Sequence, residues 1–365
     1  MYIIFRYLAK QIIISMFAVS GILLLIFMSG RFIKYLAQAA SGGISADVLF
    51  ILMAYRMPGF LELILPLGLF IGILLAYGRM YLESEMTILF ACGVSENKLL
   101  MLTMGASLLV ALLVGGMSLV VSPWGMQNVE QIFRDQSKMT EFEMLAPGRF
   151  QALKSGQRVT YTEALSDDKK ELQGIFISEK SKDGKTITLT KAKTGTQYVD
   201  PKTGSRFLVL HNGKRFQGMP GEPQFKVLEF EAYGLKISEP PVESKKRKDE
   251  AVDTIDLWAS SNPKYEALLQ WRISLPLLVP IVTLLAVPLS RVNPRQGRFF
   301  HLFPAMLIYI SYLGLLIVAR NAIEKEKIPV WLGMWWVHGL YFSIAMLLLF
   351  KGAMKRKWRV IHAQA

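Results

Sequence analysis

The chain has 365 residues, 52% of them hydrophobic and only 19% charged, with a formal charge of +14. Length alone allows two or three soluble domains, but several long stretches carry no charged side chain, which excludes an ordinary soluble protein. Little of the basic excess falls in residues 124–264. Most of it flanks apolar spans, where anionic lipid head groups are the nearer partner and no nucleic acid is expected.

Six apolar spans are predicted, near 11–30, 57–78, 99–122, 272–290, 299–319 and 328–350. The first follows Arg6 and Lys10 and imitates a secretory signal. It outlasts a typical signal core, and Arg31 and Lys34 follow it, so a retained helix is expected. The second opens at Met57-Pro58, which places Glu62 in the first helical turn, where the positive end of the dipole tolerates a carboxylate anchor. The fourth holds Pro276, Pro280 and Pro288 and is expected to be short and kinked. Arg320 closes the fifth and is expected to snorkel. Lys and Arg at the span ends concentrate on the side holding both termini, which puts the termini in the cytoplasm and the long segment 123–270 outside.

Within that segment, 123–145 reads as helical or irregular. From Gly148 onward short alternating runs appear, at 158–162, 175–177, 186–190, 207–210 and 227–231. Asp183-Gly184 and Asn212-Gly213 read as hairpin turns, because both turn positions need positive φ. A β-sandwich, a jelly roll and an open barrel all fit this pattern. Residues 239–253, with Pro240-Pro241 and the basic run Lys245–Lys248, read as a polar tether. Cys92 is the only cysteine, so the external domain must fold without an intrachain disulfide.

Catalytic patterns are missing from the sequence. Gly184-Lys185-Thr186 resembles the end of a phosphate loop, but Glu179 stands where a glycine is required. His211, His301, His338 and His362 are scattered without metal-ligand spacing. Work done by such a chain must draw its energy from a partner or an ion gradient, and the spans hold too few ionisable groups for a proton-coupled carrier.

The loop Arg79–Ser95 is the most informative stretch. It is too short for a domain and too apolar for a water-exposed loop. A helix from about Leu82 to Cys92, stopped by Gly93, would align Glu85, Leu89 and Cys92, and Ser95 could cap the next span. Such a helix suits either a partner's basic groove or plain interfacial packing.

Two segments carry a family resemblance. Tyr81-Leu82-Glu83-Ser84-Glu85-Met86-Thr87 through Ala91-Cys92-Gly93-Val94-Ser95 resembles the coupling-helix region of the lipopolysaccharide export permeases, the LptF/LptG family. The run from Val287 to Arg298, with Asn293-Pro294-Arg295-Gln296-Gly297-Arg298, resembles the loop between the fourth and fifth helices of the LptF type. The resemblance covers nearly the whole chain. It implies an α-helical transmembrane bundle of six helices with an inserted all-β periplasmic jellyroll: residues 1–122 hold three helices with a coupling helix near 82–92, 123–270 the jellyroll and its tethers, and 271–365 three more helices and a cytoplasmic tail.

The resemblance further implies a non-catalytic subunit of an ABC transporter that extracts lipopolysaccharide from the bacterial inner membrane. Its partners would be the sister permease LptG, two copies of the cytoplasmic ATPase LptB, and the single-span jellyroll protein LptC. ATP would be used by the ATPase, and this chain would bind no cofactor. Glu85, with Glu83 nearby, would dock in the ATPase groove, and Arg31 and Lys34 would meet lipid A phosphates.

Residue chemistry is compatible with those roles. Arg31 and Lys34 are three apart and share a helix face, as phosphate ligands or as snorkelling anchors. Each CH₂ taken from water is worth roughly 0.8 kcal/mol, so a cargo with several acyl chains needs an apolar conduit. Tyr161, Phe176, Leu189, Leu208, Phe216 and Phe230 are candidates for lining it or for filling an ordinary core. A membrane scaffold that moves an external domain without carrying lipid is the alternative; a lipid-modifying enzyme is disfavoured for want of a nucleophile or metal cluster.

Overall fold

The computed structural model describes residues 2–40, 44–138, 147–153, 158–166, 171–181, 186–199, 206–236, 249–291 and 302–363. It divides into two compact units, one formed by Met1–Ser29, Ala54–Asn128 and Arg247–Ala365, the other by Gly30–Met53 and Val129–Lys246. The tether run 245–248, Asp183-Gly184, His301 and the Asn293–Arg298 signature lie outside the described residues.

The helices are α1 (Tyr2–Ala40), α2 (Leu49–Leu82), α3 (Glu85–Ala91), α4 (Glu96–Gly116), α5 (Ser122–Lys138), α6 (Thr254–Trp258), α7 (Pro263–Leu289), α8 (Leu302–Glu324) and α9 (Trp335–Ala363). Among the described residues, five stretches are long and apolar enough to cross a membrane: α1, 46–82, 96–136, α7 and α8; Trp335–Phe350 is a shorter apolar helix. In a bilayer the backbone must satisfy its own hydrogen bonds, and a continuous helix does so at any apolar position.

Several boundaries differ from expectation, each for a local reason. Pro58 and Pro66 lie inside α2, which begins at Leu49. Glu62 therefore stands well inside that helix, and a helix N-terminus does not account for its carboxylate. Beyond α4, residues 123–138 take the helical of the two expected forms: one π-helical turn, Met117–Val121, leads into α5, whose first turn accommodates Pro123. Helix α7 runs 27 residues despite its three prolines, most of its side chains buried against α4, α8 and α9. Packing on all sides offsets the lost backbone bonds.

Glycine sets a close helix contact in the first unit. A Cβ at Gly72 would meet Met16 N at 2.9 Å, Met16 Cα at 3.1 Å and Ile12 O at 3.2 Å, so the backbones of α1 and α2 touch there. Gly68, one turn earlier, lies against Ser20 in the same way. The pair makes a G-x-x-x-G face, the pattern by which membrane helices approach without side-chain interference. Around it lie Leu8, Ile12, Met16, Leu65, Leu69 and Ile73 in the main apolar core.

In the second unit, strands β1 (Gln151–Leu153), β2 (Arg158–Leu165), β3 (Glu171–Lys180), β4 (Ile187–Val199), β5 (Arg206–Gly218) and β6 (Phe225–Lys236) form one antiparallel sheet in sequential order. From β2 to β6 the pairing skips a single transverse row, Glu163, Gly174, Lys193, Asn212 and Glu231, and resumes in the same register beyond it. Gly174 (φ +60°) and Asn212 (φ +53°) hold left-handed backbone on that row. Asn212-Gly213 is thus not a hairpin, as expected, but the middle of β5. Its ease at positive φ is used to bend a strand rather than to end one. Burial follows the bend, passing in β3 from Leu172 to Ile175 across the row and breaking the two-residue alternation. Leu172, Ile175, Ile177, Ala192, Leu208 and Leu210, drawn from both sides of this crease, form one apolar cluster.

Candidate functional site

The expected interfacial helix is α3, shorter than 82–92. Helix α2 carries through Leu82, and Ser84 at φ +62° breaks the chain before Glu85. Gly93 at φ +86° ends the segment, and Ser95 Oγ accepts from Lys98 N at 3.3 Å to cap α4. Glu85 opens α3, half-buried, its Oε2 accepting from Tyr7 Oη at 2.7 Å. Glu83 is exposed and lies 3.8 Å from Arg79 Nε, while Arg79 Nη2 donates to Gln11 Oε1 at 2.8 Å. The two acidic residues therefore sit on either side of the Ser84 break, one tied down and one open. At the end of α7, Arg291 pairs with Glu96 Oε2 at 2.5 Å.

Arg31 and Lys34 fall on one face of α1, as their spacing requires. Arg31 is half-buried, with its guanidinium 5.1 Å from the Tyr35 ring centroid; Lys34 is exposed. Tyr35 is buried, its ring 6.1 Å from that of Phe133. Arg31 Nε and Tyr35 Oη have no hydrogen-bond partner among the described residues. A stacked arginine with an unused donor is the more rigid member of the pair, and lysine the more adaptable point charge.

A cavity of about 450 Å³ opens within the first unit, lined by Glu62, Ser118, Ser122, Arg272, Trp271 and Arg320 among others. Sequence reading treated Glu62 and Arg320 as separate anchors; here they line one space. Arg320 Nε donates to Glu324 Oε1 at 2.9 Å, its guanidinium 5.4 Å from the Trp271 ring centroid. Arg272 donates to Thr254 Oγ1 (2.7 Å) and to the carbonyls of Glu250 (3.0 Å) and Val252 (2.8 Å). Thr254 in turn donates to the Leu119 carbonyl of the π-helical turn at 2.5 Å. The segment returning to α7 is therefore held by a chain of hydrogen bonds that a buried arginine originates. Nothing in the sequence distinguished Arg272 from an ordinary interfacial cation.

The six candidate lining residues divide between the faces of the sheet. Tyr161 pairs with Phe176 and Leu189 with Phe216, and these four share one face. Phe150 packs there, its ring tilted against that of Tyr161 at 4.8 Å between centroids. Leu208 belongs to the buried apolar cluster, against which Phe230 packs. A concavity of about 920 Å³ follows the crease, lined by Glu163, Lys191, Lys193, Lys214, Phe216 and Glu231 among others.

Among the described residues, five helices long and apolar enough to cross a membrane, joined to an antiparallel sheet, define the class as multi-pass membrane proteins with an inserted β domain. The model of the family "Lipopolysaccharide export system permease LptF/LptG" matches residues 6–351. The chain is 30% identical over 346 residues to the lipopolysaccharide export system permease protein LptF of Escherichia coli K12, covering 95% of this chain and 94% of that protein, and equally to that of E. coli O157:H7. The permease protein LptG of Haemophilus influenzae is 24% identical over 178 residues, 47% of each chain. The chain belongs to the LptF/LptG family and is an LptF-type transmembrane permease subunit of the lipopolysaccharide export system.

Proposed function

We propose that the chain is one half of an ATP-driven extractor that lifts lipopolysaccharide from the outer leaflet of the bacterial inner membrane. It pairs with an LptG-type sister and two LptB-type ATPases, and hands lipid to an LptC-type jellyroll. ATP is consumed by the ATPases, and this chain holds no cofactor and performs no chemistry. Six spans, with Trp335–Phe350 as the last, leave both termini in the cytoplasm and the sheet in the periplasm as a jellyroll-type trough.

In this reading α3 docks in the ATPase through Glu85, with Glu83 beside it. Hydrolysis moves α3, the two permeases repack, and lipid passes upward. Arg31 and Lys34 hold the lipid A phosphates, and Tyr161, Phe176, Leu189 and Phe216 meet acyl chains. The observation that carries the reading is α3 itself, a seven-residue helix cut off on both sides by left-handed residues, opening on a carboxylate and exposing Ile88. Glu85→Arg is expected to abolish transport and ATPase co-purification while membrane insertion stays normal. Normal transport by this variant defeats the reading.

A second reading, a scaffold that moves its sheet without carrying lipid, is favoured by one fact: Leu172, Ile175, Ile177, Leu208 and Leu210 fill the crease's apolar cluster with side chains. A photo-reactive residue at Phe176 that crosslinks lipopolysaccharide during turnover decides for transport, and one that never does decides for the scaffold.

A further inference from the structure

The N-terminal turns of α1 and the α2–α3 junction are joined by a matched set of contacts. Tyr7 and Gln11 lie one turn apart on α1 and share a face. Opposite them, Tyr7 Oη donates to Glu85 Oε2 at 2.7 Å, and Arg79 donates to Gln11 Oε1 at 2.8 Å. Beneath this polar rim lie Leu8, Ile12, Met80 and Met86, all buried in one apolar core. The helix turn that carries the rim is therefore held in place by packing, and the exposed phenol reaches Glu85 from a fixed backbone.

A carboxylate offers two oxygens and about four lone-pair sites. Tyr7 occupies one oxygen, and Oε1 of Glu85 has no hydrogen bond among the described residues. Glu83, by contrast, has only a long contact to Arg79 and is exposed. An untethered glutamate must surrender rotamer freedom when it meets a partner, whereas a tethered one has already done so.

We propose that Tyr7 is a positioning residue for the docking carboxylate, its hydroxyl holding Glu85 so that the second oxygen faces a basic group of the ATPase. This rests on the reading that Glu85 docks the ATPase. The partner feature it requires is a guanidinium or ammonium that approaches Oε1 while the phenol keeps Oε2. Tyr7 also makes α1 a direct recipient of any displacement of α3, because the two are bonded side chain to side chain.

The test uses the full assembly of this chain, its sister permease and the ATPase in lipid nanodiscs. Tyr7→Phe removes the hydroxyl and keeps the ring. Its ATPase is expected to dissociate about threefold faster, the lower end of the scale of one net hydrogen bond, as suits an exposed contact, with lipid release per ATP falling in parallel. Glu85→Gln is expected to lose more, and the double variant to dissociate no faster than Glu85→Gln alone. The melting temperature of Tyr7→Phe should match the parent, since ring packing is retained. If Glu85→Gln loses the ATPase while Tyr7→Phe holds it normally, or if the two effects simply add, the positioning role is overturned and the docking reading stands. If Glu85→Gln keeps the ATPase and transports normally, the docking reading falls and the positioning role with it.

Discussion

The helical unit and the sheet unit both depend on a few residues chosen for their backbone, but for opposite purposes. In the helices Gly68 and Gly72 remove side chains so that α2 can approach α1 closely at Ser20, Met16 and Ile12. In the sheet Gly174 and Asn212 supply a rare backbone conformation so that strands can bend without ending. The supporting cores differ in scale as well. The helical core draws buried residues from α1, α2, α4, α7, α8 and α9, whereas the sheet rests on six, with Thr160 and Thr162 of β2 and Thr188 and Thr190 of β4 also buried. A large core can absorb a local defect by repacking around it, and a small one has little surplus with which to do so. Helix packing should accordingly fail by steric conflict, and the sheet by backbone strain.

That contrast can be broken or sharpened at single positions. Gly72→Leu drives a side chain into the backbone of Met16 and Ile12, which cannot rotate away, and is expected to destabilise the helical unit by about 3 kcal/mol. Thermal unfolding in detergent measures it, and a parent-like melt would mean that α1 and α2 are not locked there. Gly174→Val sets a β-branched residue at φ +60° against Glu163 and is expected to cost about 2 kcal/mol. The loss should show as faster hydrogen exchange in β3 and β4 while the helical unit keeps its protection. Asn212→Gly preserves the left-handed option at an exposed position and is expected to change stability by less than about 0.5 kcal/mol. A large effect there would show that the Asn212 side chain, and not its backbone, sustains the crease.

The sequence revealed the helices through apolar composition, a signal insensitive to where a helix ends. Proline misled at one end: Pro58 reads as a helix start, yet it sits inside α2, which begins at Leu49, whereas Pro123 falls in the first turn of α5, where a proline is tolerated. Gly93 and Ser95 were legible, since each acts within its own helical turn. Ser84 carries no comparable mark, and its left-handed backbone separates α3 from α2 where an unbroken helix was expected. The Gly68–Gly72 spacing was visible but is easily overlooked in a helix that is apolar on every side.

Asn212-Gly213 was read correctly as a site of positive φ and wrongly as a hairpin, because the dipeptide specifies a conformation and not its use. At the candidate site, acidic residues in a short apolar loop directed attention to Glu85 and Glu83. Tyr7 could not be found that way, because its contact spans 78 positions of chain and only folding brings the two together. The same holds for the cavity, where Glu62 and Arg320 come from helices far apart in sequence.

The crease carries an architectural corollary. Hydrogen-bond ladders run in the same register on both of its flanks, so the sheet turns along the row from Glu163 to Glu231 without any strand slipping against its neighbour. Each strand crosses the fold line beside the partners it keeps on either flank, as the pages of a book keep their order across the spine.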